Sequence, residues 1–149
     1  MNRFRFKLEP LYEYRQRLEE LSQKEFGEAL RKLSEEEAKL VTLKDLYNKS
    51  SEDMDKMREE NAGNPELNLY YAYVTGLKKH IDEQARIIIG VKAALEEKRL
   101  NLLSASRDKK VVEILKERSY NSYVEKLNKE EQKTSDDLVS SRFKRKTDE

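Results

Sequence analysis

The feature that most constrains this sequence is a pair of seven-residue apolar repeats separated by one short break. In the first half, apolar residues recur every seven positions at Phe26, Leu33, Leu40, Tyr47 and Met54, and a second series follows three positions later at Ala29, Leu43 and Met57. This is the a/d spacing of a coiled coil, in which one narrow apolar seam faces a partner helix. The pattern predicts a first helical arm over about residues 9–60, with Pro10 in its first turn.

The second half carries the same period. One column contains Val74, Ile81, Ile88, Leu95 and Leu102, and the adjacent column contains Leu77, Val91 and Ala105, with Gln84 and Lys98 as polar interruptions. The pattern predicts a second arm over about residues 66–133. The remaining residues, 134–149, are polar and basic, and we expect them to form a frayed tail.

The break between the arms lies at residues 61–65, Asn-Ala-Gly-Asn-Pro. Gly63 can take a positive φ and end the first helix, while Asn64 can cap the next helix with Pro65 at its first position. Because helices joined by a short loop lie antiparallel, we predict an all-α fold, a long antiparallel two-stranded coiled coil that forms one domain over residues 1–149. Before Phe26, the pairs Leu11/Leu18 and Tyr14/Leu21 predict a one-residue shift of the seam near Ser22.

Composition excludes several classes of function. Of the 149 residues, 41% are charged and 36% hydrophobic, and the net charge is only +1, so the large basic excess of a nucleic-acid-binding protein is absent. The chain has no cysteine, one histidine and no phosphate-binding glycine motif, so we predict no catalytic residue, cofactor, metal ion or small-molecule substrate. No apolar run reaches the roughly 18 residues of a membrane span. The sequence indicates a monomeric protein that binds other proteins.

Beside the two seam columns of the second arm runs a third column, Tyr73, His80, Ile87 and Ala94. A two-stranded coil usually has charged residues at such flanking positions. One interpretation is that Leu40, Leu43 and Tyr47 of the first arm cover this extra width. The other is a protein-docking patch that these three residues form together with Leu77, Tyr73, His80 and Ile87.

Both chain ends are basic and aromatic. The start contains Arg3, Phe4, Arg5, Phe6 and Lys7, and the end contains Arg142, Phe143, Lys144, Arg145 and Lys146. In a hairpin these ends lie at the same pole, so they predict a basic stem that binds an acidic partner. The alternative is a pair of solvated tails.

Several segments resemble one known family. The opening residues 4–11, Phe-Arg-Phe-Lys-Leu-Glu-Pro-Leu, followed by Arg15, are similar to the start of the flagellar export protein FliJ family. Residues 105–118, Ala-Ser-Arg-Asp-Lys-Lys-Val-Val-Glu-Ile-Leu-Lys-Glu-Arg, resemble that family's most characteristic segment. Tyr123, residues 131–133, Asp136, Asp137 and Arg142 continue the resemblance, which covers nearly the whole length.

The resemblance implies a non-enzymatic component of the bacterial flagellar type III protein export apparatus. It implies a coiled coil similar to the central stalk of rotary ATPases, which binds the hexameric export ATPase, the export gate protein FlhA and export chaperones. The basic stem would then face the ATPase ring, and the docking patch would face the gate. The resemblance also implies a cytoplasmic location at the flagellar base, peripheral to the inner face of the membrane.

Other functions stay open on the residues alone. A stalk subunit of another rotary ATPase would share the hairpin and the basic ends, although such stalks often carry an added globular domain. A generic coiled-coil spacer would lack the third column, and a holdase chaperone would protect an unfolded client.

Overall fold

The computed structural model describes residues 3–60, 63 and 65–148. It contains two helices, α1 over Glu9–Glu60 and α2 over Pro65–Thr147, which pack against each other as a hairpin. The predicted all-α antiparallel coiled coil is confirmed. Pro10 lies in the first turn of α1, where its missing N–H removes no helical hydrogen bond.

The turn between the helices depends on Gly63. Its φ of 118° lies in a region that L side chains rarely adopt, so glycine is the residue that fits there. Pro65 is the first residue of α2, as predicted, because its fixed φ suits a helix start and its missing N–H would be unpaired there anyway. The predicted cap, Asn64, lies outside the described residues, together with Asn61 and Ala62.

The end of α2 differs from the prediction. The segment 134–147, expected to be a frayed tail, is helical as far as Thr147, although every residue in it is exposed. The absence of Gly and Pro in this segment leaves nothing in the sequence to stop the helix. We therefore correct the predicted boundary at residue 133.

The chain divides into two compact units. One, Leu21–Leu103, is called the apolar unit below, and the other, Met1–Glu20 with Ser104–Glu149, is called the ionic unit. In the apolar unit, the interior of the seam is formed by four buried hydrophobic residues: Met54, Val74, Leu77 and Ile88. Gln84 is buried among them and donates a hydrogen bond of 3.0 Å from Nε2 to the backbone oxygen of Glu36. This polar interruption is therefore satisfied by the facing helix.

The ionic unit has a seam of different chemistry. Val112 is its one buried hydrophobic residue within the described chain. Lys109 and Lys116 continue the column of Ile88, and they pair with Glu19 and Glu9 of α1. Polar residues therefore occupy positions that carry aliphatic side chains in the apolar unit.

The predicted one-residue shift near Ser22 is supported by only one of its two pairs, since Leu11 and Leu18 are partly buried but the second pair is not. Tyr14 and Leu21 are half exposed, so they do not belong to the seam. The columns of Phe26 and Ala29 instead continue without interruption toward the start of α1, through partly buried positions: Tyr12, Arg15, Glu19 and Ser22. The seven-residue register is kept although its residues become polar.

Candidate interaction surfaces

The third column of α2 forms an exposed line in the apolar unit. Tyr73 is 50% exposed and Ile87 is 49% exposed, and His80 and Ala94 between and beyond them are exposed as well. Residues seven apart in a helix lie on nearly the same line along its surface. The side chains of α1 do not cover this line, so the covering interpretation is rejected for Tyr73 and Ile87.

The remaining residues of the predicted docking patch lie in the seam. Leu77 is only 6% exposed, and Leu40, Leu43 and Tyr47 are partly buried at seam positions of α1. A partner could reach Leu77 only by opening the coil, because the side chain is already packed. We therefore restrict the candidate docking face to Tyr73, His80 and Ile87.

One end of this docking face borders a small open hollow. The hollow has a volume of about 290 Å³ and is lined by Ser50, Leu69, Tyr70 and Tyr73. Leu69 is among the most exposed large apolar side chains of the chain, whereas Ser50 is buried. The hollow extends the apolar character of the docking face toward the turn.

His80 lies on the solvent side of α2, beside a carboxylate of its own helix. Its side chain is 68% exposed, and its Nδ1 lies 3.7 Å from the carboxylate of Glu83, one turn away. Among residues 3–60, 63 and 65–148, no group of three or more His, Cys, Asp or Glu residues is placed to hold a metal ion. Neither described helix is apolar enough over a sufficient length to cross a membrane.

The N-terminal segment, residues 3–8, is anchored to α2 inside the ionic unit. The centroid of the Phe4 ring lies 5.3 Å from that of Tyr120, in an edge-to-face arrangement, and 5.5 Å from that of Tyr123. Such aromatic contacts contribute beyond the apolar area that they bury, by about 0.5–1.5 kcal/mol. The Phe4 contacts therefore hold the basic opening residues beside the second helix.

The basic residues of the C-terminal end lie elsewhere on the same helix. Arg142, Lys144, Arg145 and Lys146 are exposed, and so is Phe143. Arg142 follows Tyr123 by 19 residues of continuous helix, which corresponds to about 28 Å at the helical rise. The prediction that the two basic ends form one stem is therefore corrected. They form two separate basic surfaces within the ionic unit.

Sequence reasoning missed the charged network of the seam. Arg15 Nη1 donates to Asp108 at 3.0 Å, Lys109 Nζ to Glu19 at 3.2 Å, and Lys116 Nζ to Glu9 at 3.0 Å. The hydrogen bond to Glu19 raises the pKa of Lys109, although partial desolvation opposes this. The seven-residue period that links Glu19 to Phe26, and Lys109 and Lys116 to Ile88, was the available signal, but a search for apolar repeats passes over it.

A second polar pair lies in the apolar unit. The hydrogen bonds from Gln84 and Lys39 lower the pKa of the Glu36 carboxyl group, because they stabilise its charged form. About four turns further along α2, Lys98 Nζ lies 3.2 Å from Glu25. Both polar interruptions of the second arm, Gln84 and Lys98, therefore contact glutamates of α1.

Comparison with known proteins agrees with this architecture. The chain matches the family described as "Flagellar FliJ protein" over residues 4–148. A search of curated proteins and a search of solved structures gave no match. Since the family match covers nearly the whole chain, including the N-terminal segment, the turn and the exposed end of α2, the protein belongs to the flagellar FliJ family and is a protein of flagellar export.

Proposed function

We propose that this protein is a stalk-like adaptor of the flagellar type III export apparatus, which binds the export ATPase ring through its basic surfaces and the export gate protein FlhA through its docking face. The observation that carries the proposal is the exposed line of Tyr73, His80 and Ile87 beside a seam that is already filled. Export chaperones and a position at the inner face of the membrane belong to the same proposal, and they rest on family membership.

The docking face supports gate binding because its apolar side chains lie outside the packed seam and stay half exposed. The neighbouring seam residue Ile88 is 6% exposed, whereas Ile87 remains half in solvent. Exposed aromatic and aliphatic side chains that lie together are typical of protein interfaces, in which a few of them act as anchors. A coiled coil with no partner would be expected to carry charges at these positions.

The basic surfaces support binding to the ATPase ring. Arg3, Arg5 and Lys7 are exposed and form no ion pair within the described chain. Unpaired cations steer association toward an acidic surface and make the rate of association sensitive to salt. The exposed cations near the end of α2 supply a second, separate contact of the same sign.

The gate proposal can be tested with substitutions that have matched controls in the same helix. Tyr73→Ala and Ile87→Ala should each weaken binding to FlhA about tenfold, as expected for an anchor residue. Calorimetric titration or surface binding would measure the dissociation constant, and circular dichroism would measure thermal unfolding. Because both side chains are half exposed, unfolding should change little.

The controls are Tyr71→Ala and Ile89→Ala. Tyr71 is 59% exposed and Ile89 is 69% exposed, and at 100° per residue both lie on the opposite flank of the seam from Tyr73 and Ile87. They therefore remove the same kinds of side chain from a different face. Equal weakening by all four substitutions, or none by Tyr73→Ala and Ile87→Ala, would show that the docking face does not bind the gate.

A further inference from the structure

The N-terminal segment borders an open cleft in the ionic unit. The cleft has a volume of about 820 Å³ and lies between residues 3–8 and one face of α2 over residues 115–126. Five of its lining residues are cationic, and none is acidic: Arg3, Arg5, Lys7, Arg118 and Lys126. We call this site the N-terminal cleft.

The cations of the N-terminal cleft differ from those of the seam in having no carboxylate partner in the described part of the chain. Within the described residues, none of the five cations has an ion-pair partner. In contrast, the seam cations of the same unit, Arg15, Lys109 and Lys116, are each paired with a carboxylate of the facing helix. The positive charge is therefore concentrated at the N-terminal cleft, where it favours an anionic ligand.

The lining of the N-terminal cleft also has an apolar part, which we call its floor. Phe4, Phe6, Leu8 and Leu115 line it, together with the ring of Tyr123. Phe4 and Phe6 are partly buried, whereas Arg3, Arg5 and Lys7, which alternate with them, are exposed. A ligand that carries only phosphate groups would satisfy the cations and leave this apolar floor uncovered, whereas an apolar side chain would gain free energy by burial there.

The backbone of the N-terminal segment indicates a peptide ligand. Residues 3–6 lie outside any helix, and their alternating exposure is that of an extended chain. Among the described residues, their N–H groups donate no backbone hydrogen bond; the first such bond runs from Glu9 N–H to the backbone oxygen of Phe6, at 3.1 Å. An extended segment with free backbone groups can pair with a second extended chain by strand addition.

From these observations we propose that the N-terminal cleft binds an extended acidic peptide segment that carries one apolar anchor residue. The acidic side chains would pair with the five cations, and the anchor would lie on the floor of the cleft. Assigning that segment to the export ATPase rests on the proposed function, so the test must separate the two.

The probe is a fluorescein-labelled heptapeptide of aspartate and glutamate with one central leucine, and binding is measured by fluorescence anisotropy at low salt. We expect the double substitution Arg118→Gln with Lys126→Gln to weaken binding about tenfold. The matched control, Lys129→Gln with Lys133→Gln, removes two charges from exposed positions of the same helix outside the cleft and should change binding less than about twofold. All four residues are exposed, so the fold should be kept in both variants.

The peptide itself supplies the second comparison. Replacing the central leucine by serine should weaken binding several-fold, and replacing the acids by their amides should abolish it. A uridine oligonucleotide of equal charge should bind more weakly than the leucine peptide. The proposal fails if the serine peptide or the oligonucleotide binds as well as the leucine peptide, or if the cleft variant and its control bind alike.

Stimulation of the export ATPase by the same variants tests whether the acidic segment that binds the N-terminal cleft belongs to the ATPase. Loss of both peptide binding and stimulation in the cleft variant supports the proposal and the ATPase as partner. Loss of peptide binding with unchanged stimulation supports the N-terminal cleft but shows that the ATPase does not use it. Loss of stimulation with unchanged peptide binding overturns the N-terminal cleft and leaves the proposed ATPase contact standing.

Discussion

The apolar unit and the ionic unit use the same helical register with opposite chemistry. In the first, the column of Ile88 is aliphatic, while in the second it continues as Lys109 and Lys116, each paired with a glutamate. An aliphatic seam gains free energy from burial alone. In an ionic seam, the cost of desolvating the charges offsets much of the Coulomb attraction between them. The seven-residue period thus fixes where the helices meet and leaves the strength of the contact to the residues placed there.

Arg15 illustrates a cost that leads us to expect the ionic seam to be the weaker of the two. Its Nη1 pairs with Asp108, but its Nε is buried without a hydrogen-bond partner among the described residues. Such a group costs about 1–3 kcal/mol relative to a satisfied one. The ionic unit also carries the basic surfaces and the N-terminal cleft, whereas the docking face lies in the apolar unit. The lower stability of the ionic unit would let its surfaces rearrange while the apolar unit stays folded.

The largest effect should come from the apolar seam. Ile88→Ala should lower the free energy of unfolding by about 2–4 kcal/mol, because it removes a packed side chain and leaves a cavity. Ile89→Ala is the matched control, since Ile89 is 69% exposed and Ile88 only 6%. Urea unfolding followed by circular dichroism would measure both. Similar losses at the two positions would mean that the apolar unit does not depend on its seam.

The sequence predicted the seam positions of this molecule where they carry apolar residues, and not where they carry charged ones. The seam of the apolar unit and the turn were predicted correctly, because Val74, Ile88 and Gly63 are residue types with one physical role at those positions. The continuation through Arg15 and Glu19 was missed, since charged residues usually indicate a solvated helix face. Tyr14 and Leu21 were wrongly predicted to lie in the seam, because single apolar residues are also common on exposed surfaces.

The surfaces divide in a similar way. The exposure of Tyr73 and Ile87 followed from counting columns, because a seam between two helices covers only two columns on each. The separation of the two basic ends did not follow, since it depends on how far α2 continues beyond the point where Phe4 packs. The N-terminal cleft was also not foreseen, because it requires the path of a non-helical segment that no period describes.

A smaller effect, of opposite sign, should come from the ionic seam. Replacing both members of its most buried pair, Glu19→Leu with Lys109→Leu, should raise the thermal midpoint of the ionic unit by several degrees, because packed apolar residues avoid the desolvation of two charges. Lys109→Leu alone should lower the midpoint, since it leaves the Glu19 carboxylate without its partner. Hydrogen exchange of amides in residues 9–20 and 104–118 would report on this unit separately. A double variant less stable than the wild type would mean that the ionic seam is already optimal.

The smallest effect should be a difference between the units in their dependence on pH. The pKa of Glu36 is lowered in the folded apolar unit by the hydrogen bond from Gln84, so its contribution is complete above the ordinary carboxyl pKa and is lost as the pH falls through the lowered value. The pKa of Lys109 is raised in the folded ionic unit by the hydrogen bond to Glu19, so its contribution is complete below the ordinary lysine pKa and is lost as the pH rises through the raised value. Acid should therefore remove this contribution from the apolar unit, and alkali from the ionic unit.

Two conservative variants isolate these contributions from those of the other titrating groups. Glu36→Gln should reduce the stability lost in acid, below about pH 4, because the amide cannot be protonated there. Lys109→Met should reduce the stability lost in alkali, above about pH 10, because no ammonium group remains to be deprotonated. Amide exchange across both units, measured at each pH limit against the wild type, would show where each change acts. If Glu36→Gln altered the alkaline limit, or Lys109→Met the acid limit, the two hydrogen bonds would not be the source of the difference between the units.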